Sequence, residues 1–353
     1  MTNEIRFPKR ISVLLILVGL FVFLLYLYLV PFRKEDLVTY FQQANPFFYS
    51  LAFISLLLAM AFYSLTWHNL LKLLSVKTSF RKAFQFIWIG TFFDLLVPAE
   101  SVSGDASRIY LMSKEAGENP GKVVASVVGH RILSGVVTVG GLVISSVYFI
   151  LKYPPSLLFL EFIGIVVTVS VVSLSLLFYL STHRQTTERI VNWLVKLLSR
   201  LSRGHWRLDH LRASAEKMLT AFHSGIVTLG ERPKGLVMPA FLAIIAWFFD
   251  VLIAVLAFYS LGSLGVKISL SSIVIVYSVM IGIQTIPIGI PGEVGLPEIV
   301  MTSLYTLLGV PIAMSAVATV LIRVLTFWTR LLIGGVAVQW LGIKGFKGPI
   351  TSN

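Results

Sequence analysis

Three arginines stand inside long apolar runs of this sequence, at positions 131, 323 and 330. A charged side chain at the depth of the hydrocarbon is costly, so each of them must face an opposite charge or a watery cavity. A guanidinium donates forked hydrogen bonds that fit the oxygens of a phosphate. We predict that Arg131 and Arg323, with Arg108, line a polar groove and bind an anionic phosphate. The alternative is that they form ion pairs that only hold helices together.

Acidic residues near these cations are their candidate partners. One of them, Asp250, lies in the middle of an apolar run, and the others precede Arg131 or Arg323. We predict that the acids position the arginines and offset their charge when no ligand is bound, because an uncompensated buried cation is strongly unfavourable. The candidates are Asp94, Glu100, Asp105, Asp250, Glu293 and Glu298.

The two regions that carry Arg131 and Arg323 follow one plan. In each, a broken hydrophobic stretch ends at a Pro-x-Glu motif, which is Pro98-Ala99-Glu100 in the first and Pro291-Gly292-Glu293 in the second. The arginine stands 31 residues after the glutamate in the first and 30 in the second. Inverted repeats with broken helices near the midplane are a recurrent plan of carriers. We therefore predict an inverted repeat, with chance similarity of two short motifs as the alternative.

Long apolar stretches predict an all-α polytopic membrane protein, folded as one integral membrane domain over residues 1–353. A stretch of about 20 apolar residues spans the bilayer. The six predicted crossings are Ile11–Val30, Phe47–Trp67, Val123–Leu151, Ser156–Leu180, Leu236–Tyr259 and Pro311–Trp340. Three shorter stretches, Ala83–Val97, Ser271–Ile290 and Leu296–Leu308, are predicted to be re-entrant. The first repeat covers residues 83–180 and the second 235–340, after N-terminal spans in 1–67.

Basic residues set the predicted orientation. With both termini and residues 181–234 in the cytoplasm, 22 Lys and Arg lie inside and four outside, as the positive-inside rule requires of a plasma-membrane protein. The segment 181–234 is predicted to be an amphipathic helix on the inner interface, with its cations on anionic headgroups. Lipid is therefore the expected partner of the net charge of +13, and nucleic acid is not.

Signatures of enzymes are missing from the sequence. The absence of cysteine excludes disulfides, thiolate catalysis and Cys-ligated zinc. The run from Gly117 to Lys122 lacks the spacing of a nucleotide-binding loop, and neither a zinc-hydrolase motif nor a nucleophile elbow is present. We expect no cofactor, no metal and no enzymatic activity.

The Pro/Gly-rich stretch Pro287–Glu298, which closes on a glutamate and is followed by the arginine helix around Arg323, resembles the flippase-like membrane domain of lysylphosphatidylglycerol synthases. The run Val97–Arg108 and the residues around Arg131 are similar to its earlier block, so the resemblance covers most of the chain. It implies a stand-alone transport domain, without the synthase's catalytic domain, that moves a phospholipid or a polyprenyl-phosphate-linked lipid between leaflets. By this resemblance Pro291 and Gly292 belong to the substrate-binding region, with the arginines and acids above.

Other functions stay open at this stage. The chain is alternatively a membrane enzyme that acts on a lipid phosphate, or a membrane partner that anchors a glycosyltransferase or another enzyme of lipid biosynthesis through its basic loop. A carrier of small solutes or ions is a further alternative, and a homo-oligomer is compatible with all of these.

Overall fold

The computed structural model describes Phe21 and residues 34–97, 102–153, 157–201, 208–262, 268–284 and 295–345. Regular structure in these parts is helical throughout, as the sequence predicted. In chain order the elements are α1 Lys34–Gln43, α2 Pro46–Leu73, α3 Phe80–Leu96, α4 Val102–Ala116, α5 Pro120–Lys152, α6 Leu157–Thr182, α7 Arg184–Leu201, α8 Leu208–Glu231, α9 Pro233–Ser260, α10 Leu270–Ile283, α11 Leu296–Leu307, α12 Ile312–Arg323, a π-helix Val324–Thr329 and α13 Arg330–Gly345.

Five helices within the described residues are long and apolar enough to cross a membrane. They are α2, α5, most of α6, α9 and the continuous rod from α12 through the π-helix into α13. These match five of the six predicted crossings, and the first, Ile11–Val30, lies outside the described residues except for Phe21. The prediction of a polytopic α-helical membrane protein is confirmed.

Two of these helices begin at the same local signal. Asn45 and Asn119 each stand before a proline, and their side-chain oxygens accept hydrogen bonds from the backbone N–H groups of Phe47 and Gly121, both at 2.9 Å. Such a cap satisfies a donor that has no partner inside the helix, and proline at the first helical position loses nothing because its missing N–H would be unpaired there. The sequence thus fixes where α2 and α5 start.

Helices α3 and α4 form an antiparallel hairpin. At its base Lys82 Nζ lies 3.0 Å from Glu115 Oε2, and at its tip the backbone N–H of Gly104 donates to Asp94 Oδ1 at 2.7 Å. Gly90 and Gly104 bring the two backbones close, since a Cβ on Gly90 would lie 3.1 Å from the Gly104 carbonyl oxygen. The helix of 17 residues is about 25 Å long and the chain returns along it through α4, so the segment predicted to dip into the membrane is one arm of a hairpin. Its depth in the bilayer remains a prediction.

The chain contains two halves with the same order of elements, α2–α5 and α9–α13. The leading helices have 28 residues each. Short helices of 17 and 15 residues in the first half correspond to helices of 14 and 12 residues in the second. The second short helix is followed in each half by a glycine with positive φ, Gly117 at 63° and Gly309 at 91°, a conformation that glycine adopts without strain.

Packing between the halves is reciprocal. Helix α2 packs along α9, α3 packs on α13, and α10 packs on α5. The leading helices run antiparallel, because Asn45 N–H donates to the Ser260 carbonyl at 2.8 Å near one end, while near the other a Cβ on Gly235 would lie 2.7 Å from Leu73. Corresponding helices of opposite direction that exchange partners are the arrangement that an inverted repeat requires.

The predicted amphipathic linker forms two helices, and they differ. Helix α7 is the more strongly amphipathic. The second part of α8 packs in parallel against the start of α5, where a Cβ on Gly225 would lie 2.6 Å from the Ala125 side chain and Phe222 and Leu229 join the apolar core. Small residues on both helices permit this close approach, so this part of the segment belongs to the bundle, whereas the sequence predicted a helix on the membrane surface.

Candidate functional site

Asp105 holds two arginines together at one end of the bundle. It stands in the first turn of α4, where the helix dipole favours an acid. Arg108 Nε donates to Asp105 Oδ1 at 2.9 Å, and Arg131 Nε on α5 donates to Asp105 Oδ2. Arg108 is buried, whereas 31% of the Arg131 side chain is exposed. Of these two predicted ligands of a phosphate, Arg131 is therefore the one with access to a bound molecule.

Aromatic and imidazole rings surround Arg108. Its guanidinium carbon lies 5.4 Å from the centre of the Trp67 ring, a cation–π contact, and Nη1 lies 3.3 Å from His130 Nδ1. Because arginine only donates, His130 Nδ1 accepts and the proton of the neutral ring resides on Nε2. The His130 ring lies 4.1 Å from that of Tyr63. His130 is thus a polar neighbour of Arg108, although its buried Nε2 has no hydrogen-bond partner within the described part of the chain.

Asp94 stabilises the tip of the α3–α4 hairpin. Its Oδ1 accepts from the N–H of Gly104 at 2.7 Å and from Ser103 Oγ at 3.3 Å. A Cβ on Gly104 would collide with the Asp94 carboxylate, so the hairpin requires glycine there. Asp94 fixes the start of α4 and thereby the position of Asp105.

Glu298 and Arg323 form the corresponding pair in the second half. Glu298 is in the first turn of α11, and its Oε1 accepts from Arg323 Nε at 2.6 Å. Its other oxygen accepts from the N–H of Gly295 at 2.7 Å, and the Arg323 guanidinium lies 4.8 Å from the centre of the Phe327 ring. Only 1% of the Glu298 side chain and 5% of the Arg323 side chain are exposed. This pair is sealed from solvent, in the sense that both side chains are almost completely buried, whereas Arg131 in the pair with Asp105 is partly exposed.

A third pair lies near the middle of the bundle and includes two residues to which the sequence gave no role. Asp250 on α9 accepts from Arg330 Nη2 through Oδ1 and from the Tyr277 hydroxyl through Oδ2, the latter at 2.8 Å. The side chains of Arg330 and Asp250 are 20% and 18% exposed. Arg330 was visible as a charge in an apolar run, but its orientation depends on the π-helix that precedes it. Tyr277 gives no signal in the sequence beyond a hydroxyl in an apolar helix.

A polar stripe follows α5 from Arg131 towards the other end. Arg131, Ser134, Thr138 and Ser145 recur at helical spacing, and all four are partly exposed. In the second half Arg323, Thr326 and Arg330 repeat the first two of these spacings, three and then four residues. A helix that crosses hydrocarbon buries its polar groups against protein or lines a watery cavity with them.

Four of the predicted site residues fall outside the described residues. They are Glu100, Pro291, Gly292 and Glu293. The six others occupy the three clusters: Asp105, Arg108 and Arg131 in the first, Glu298 and Arg323 in the second and Asp250 in the third. Over the described ranges no group of three or more His, Asp or Glu has the geometry of a metal site.

The arrangement offers four fixed cations that share three carboxylates. Each of the four arginines in the three clusters contacts a carboxylate. In surroundings of low dielectric such pairs are held firmly, and a cation that keeps some exposure is able to exchange its carboxylate for another oxyanion. Arg131 and Arg330 are the two that combine an ion pair with exposure.

Related proteins are membrane proteins of archaea. The chain is 26% identical over 313 residues to a UPF0104 membrane protein of Methanothermobacter thermautotrophicus, covering 88% of this chain and 90% of the relative. It is 23% identical over 328 residues to one of Pyrococcus horikoshii, covering 92% and 96%, and 22% identical over 336 residues to one of Methanocaldococcus jannaschii, covering 95% and 96%.

A match to a family profile extends over nearly the whole chain. The profile of the lysylphosphatidylglycerol synthase TM region matches residues 14–334, which include all three ion-pair clusters and both halves of the fold up to the first turn of α13. The resemblance proposed from the Pro/Gly-rich stretch and the two arginine helices is confirmed. This chain therefore belongs to the family of the lysylphosphatidylglycerol synthase TM region.

Proposed function

We propose that this protein is a lipid transporter that moves an anionic phospholipid or a polyprenyl-phosphate-linked lipid between the leaflets of the plasma membrane. The observation that carries the proposal is the partly exposed polar stripe of α5, which begins at Arg131. A helix that only spans the bilayer requires no such stripe. The name of the family, which refers to the synthesis of a phospholipid derivative, agrees with a lipid as the substrate.

The barrier to moving a lipid headgroup is the desolvation of its phosphate. Transferring an ionised group into hydrocarbon is prohibitive unless other groups replace its lost water. Arg131 supplies a cation, and the hydroxyls of Ser134 and Thr138 continue the path along the same face. The headgroup follows this stripe while its acyl or prenyl chains stay in the lipid.

An apolar surface for those chains lies on the neighbouring helices. Helix α6 and the second half of α5 expose large aliphatic side chains, among them Ile144, Leu151, Ile165 and Leu176. In a membrane this surface contacts lipid tails. A polar stripe beside an apolar face suits a lipid, because the headgroup can follow the stripe while the hydrocarbon chains stay against the apolar face.

Asp105 is the ion-pair partner of the arginines when the groove holds no lipid. While no lipid is present, its carboxylate is shared by Arg108 and Arg131, so this cluster holds two cations and one anion. A phosphate that arrives at Arg131 replaces only one of these contacts, because Arg108 remains to hold Asp105. After this exchange Arg131 is paired with the phosphate, and Asp105 is still paired with Arg108.

The two ends of the proposed path differ in exposure. With both termini cytoplasmic, Arg131 lies towards the cytoplasmic leaflet and Arg323 towards the outer leaflet. Arg131 is accessible and Arg323 is sealed against Glu298. We therefore assign this conformation to a groove that is open to the cytoplasmic side.

Leaflet exchange in proteoliposomes tests the proposal. Fluorescent phospholipids and polyprenyl-phosphate lipids are supplied to wild type, Arg131→Ala and Arg131→Lys, and an Arg184→Ala variant serves as control because that arginine is exposed and paired with Glu188 at the surface. Wild type and the control are expected to exchange an anionic lipid, Arg131→Ala to lose exchange and Arg131→Lys to retain part of it. Equal rates for wild type and Arg131→Ala would contradict the groove. No exchange of any lipid by wild type, with or without a proton gradient or voltage, would favour a lipid enzyme or a partner of a glycosyltransferase.

A further inference from the structure

The central cluster of Asp250, Tyr277 and Arg330 has the features of a binding site for the lipid headgroup. We infer that Arg330 binds the phosphate midway along the groove, by exchanging Asp250 for a phosphate oxygen, and that the site selects a headgroup with a single negative charge. This inference rests on the proposed transport function. It adds Arg330 to the predicted binding residues and narrows the predicted lipids to those with a single negative charge on the headgroup.

This cluster lies at a depth in the membrane where a lipid phosphate needs a cation as its partner. Asp250 is about 26 Å from the start of α9, a helix of 28 residues that measures about 42 Å. It is therefore within the central part of a span, where a phosphate has lost its hydration. A path that begins at Arg131 and ends near Arg323 requires a cation between them, and Arg330 is placed there by its pairing with Asp250.

Arg330 is incompletely coordinated, in contrast to Arg323. Arg323 uses Nε in its 2.6 Å bond to Glu298 and is sealed. Arg330 binds Asp250 through Nη2, and its buried Nε has no hydrogen-bond partner in the described ranges. A guanidinium binds an oxyanion best through two parallel N–H groups, so Arg330 retains a donor for a second oxygen. The Arg330 side chain is 20% exposed, so a lipid headgroup can reach it.

Asp250 still accepts a hydrogen bond after Arg330 has exchanged it for a phosphate. The Tyr277 hydroxyl donates to Asp250 Oδ2 at 2.8 Å, so the carboxylate remains hydrogen-bonded after the exchange. A buried acid that lost its only partner would oppose the exchange strongly. Tyr277 therefore allows Arg330 to change partners.

The π-helix orients Arg330 towards this site. Arg323 and Arg330 are seven residues apart, a separation that places both on one face of an uninterrupted α-helix. The π-helix Val324–Thr329 lies between them and shifts the register, so Arg323 faces Glu298 on α11 and Arg330 faces Asp250 on α9. Short π-helical segments are frequent at functional sites.

The charges of the site define the headgroup that it accepts. Within the described residues, Arg330 supplies the one guanidinium that pairs with Asp250. The Asp250 carboxylate lies beside it and repels additional negative charge. A phosphodiester with one negative charge is accommodated, whereas a phosphomonoester, with about two charges at neutral pH, is disfavoured.

Binding of short-chain lipids to the purified full-length protein tests this site. Dioctanoyl phosphatidylglycerol, phosphatidic acid and phosphatidylcholine are titrated into detergent solutions of wild type, Arg330→Gln, Asp250→Asn and a surface control, Arg184→Gln. Wild type and the control are expected to bind phosphatidylglycerol most tightly, and Arg330→Gln to bind it about tenfold more weakly or worse, the value of a charged hydrogen bond. Asp250→Asn removes the repelling charge and is expected to strengthen binding of phosphatidic acid. Unchanged binding to Arg330→Gln, or unchanged selectivity in Asp250→Asn, would overturn the inference.

A double variant separates binding from mere packing. Exchanging the two residues, Asp250→Arg with Arg330→Asp, restores the ion pair but moves the guanidinium from α13 to α9. Restored stability with lost phosphatidylglycerol binding supports the inference, and wild-type binding by the double variant contradicts it. The leaflet-exchange assay distinguishes the two proposals, because exchange that depends on Arg131 and not on Arg330 would leave the transport function standing and remove the central site.

Discussion

Removing one member of the sealed pair Glu298–Arg323 is expected to destabilise the protein more than any change at the exposed pairs. Arg323→Met leaves a carboxylate that is 1% exposed without its cation, and Glu298→Leu leaves a cation that is 5% exposed without its carboxylate. Loss of one partner of a buried ion pair costs about 3–5 kcal/mol of unfolding free energy.

The double variant Glu298→Leu with Arg323→Met is expected to recover most of this loss. Replacing a buried pair by apolar residues of similar size is often neutral or stabilising. Here the double variant still leaves the Gly295 N–H without its acceptor, which costs about 1–3 kcal/mol. The double variant should therefore lie closer to wild type than either single variant, and the two changes should be strongly non-additive.

Unfolding in mixed micelles, followed by tryptophan fluorescence as dodecyl sulfate is added to dodecyl maltoside, measures these differences. Arg131→Met is the matched comparison, because 31% of that side chain is exposed and its carboxylate partner retains Arg108. Its loss should be about 1 kcal/mol. Additive effects of the two changes at the sealed pair, or equal losses for Arg131→Met and Arg323→Met, would refute the reasoning that burial decides the energy of these pairs.

Two further predictions concern the α3–α4 hairpin and α8. Gly104→Ala is expected to lower stability by about 1–3 kcal/mol, because the new Cβ collides with Asp94, whereas Gly140→Ala, where a Cβ meets nothing within 4 Å, should be neutral or stabilising in the same unfolding assay. Burial and then the charge of Arg184 lower the pKa of His223 below its ordinary value of 6.5, so the unfolded chain binds the proton more readily. Stability should fall as pH drops below about 6.5, and His223→Gln should make that fall shallower in unfolding curves between pH 7 and 5; an unchanged slope would contradict the assignment.

Much of the fold could be predicted because the membrane imposes it. Apolar length alone located five crossings, and the matched spacing of Arg131 and Arg323 indicated the two halves. Pairing of Arg323 with Glu298 also follows from the repeat, since an acid in the first turn of a short helix precedes the arginine helix in both halves.

Features that depend on contacts between distant helices could not be predicted. Arg108 was assigned to ligand binding, but Trp67 and His130 from two other helices bury it, and the sequence does not state which helices meet. The role of Arg330 depends on a π-helix, for which no residue pattern is diagnostic. Packing of α8 on α5 depends on small residues such as Gly121, whose fit against another backbone is invisible in a hydrophobicity pattern.

The exchange of partners between the halves has a consequence for biosynthesis. Helix α3 completes its packing only when α13 has been made, and α2 only when α9 has been made, both more than 150 residues later in the chain. The first half must therefore remain in the bilayer with polar residues such as Asp105 and Arg131 paired within their own half, and assembly follows insertion of the last helix. Ion pairs formed within each half thus keep these charges compensated in the nascent membrane protein, before the two halves assemble.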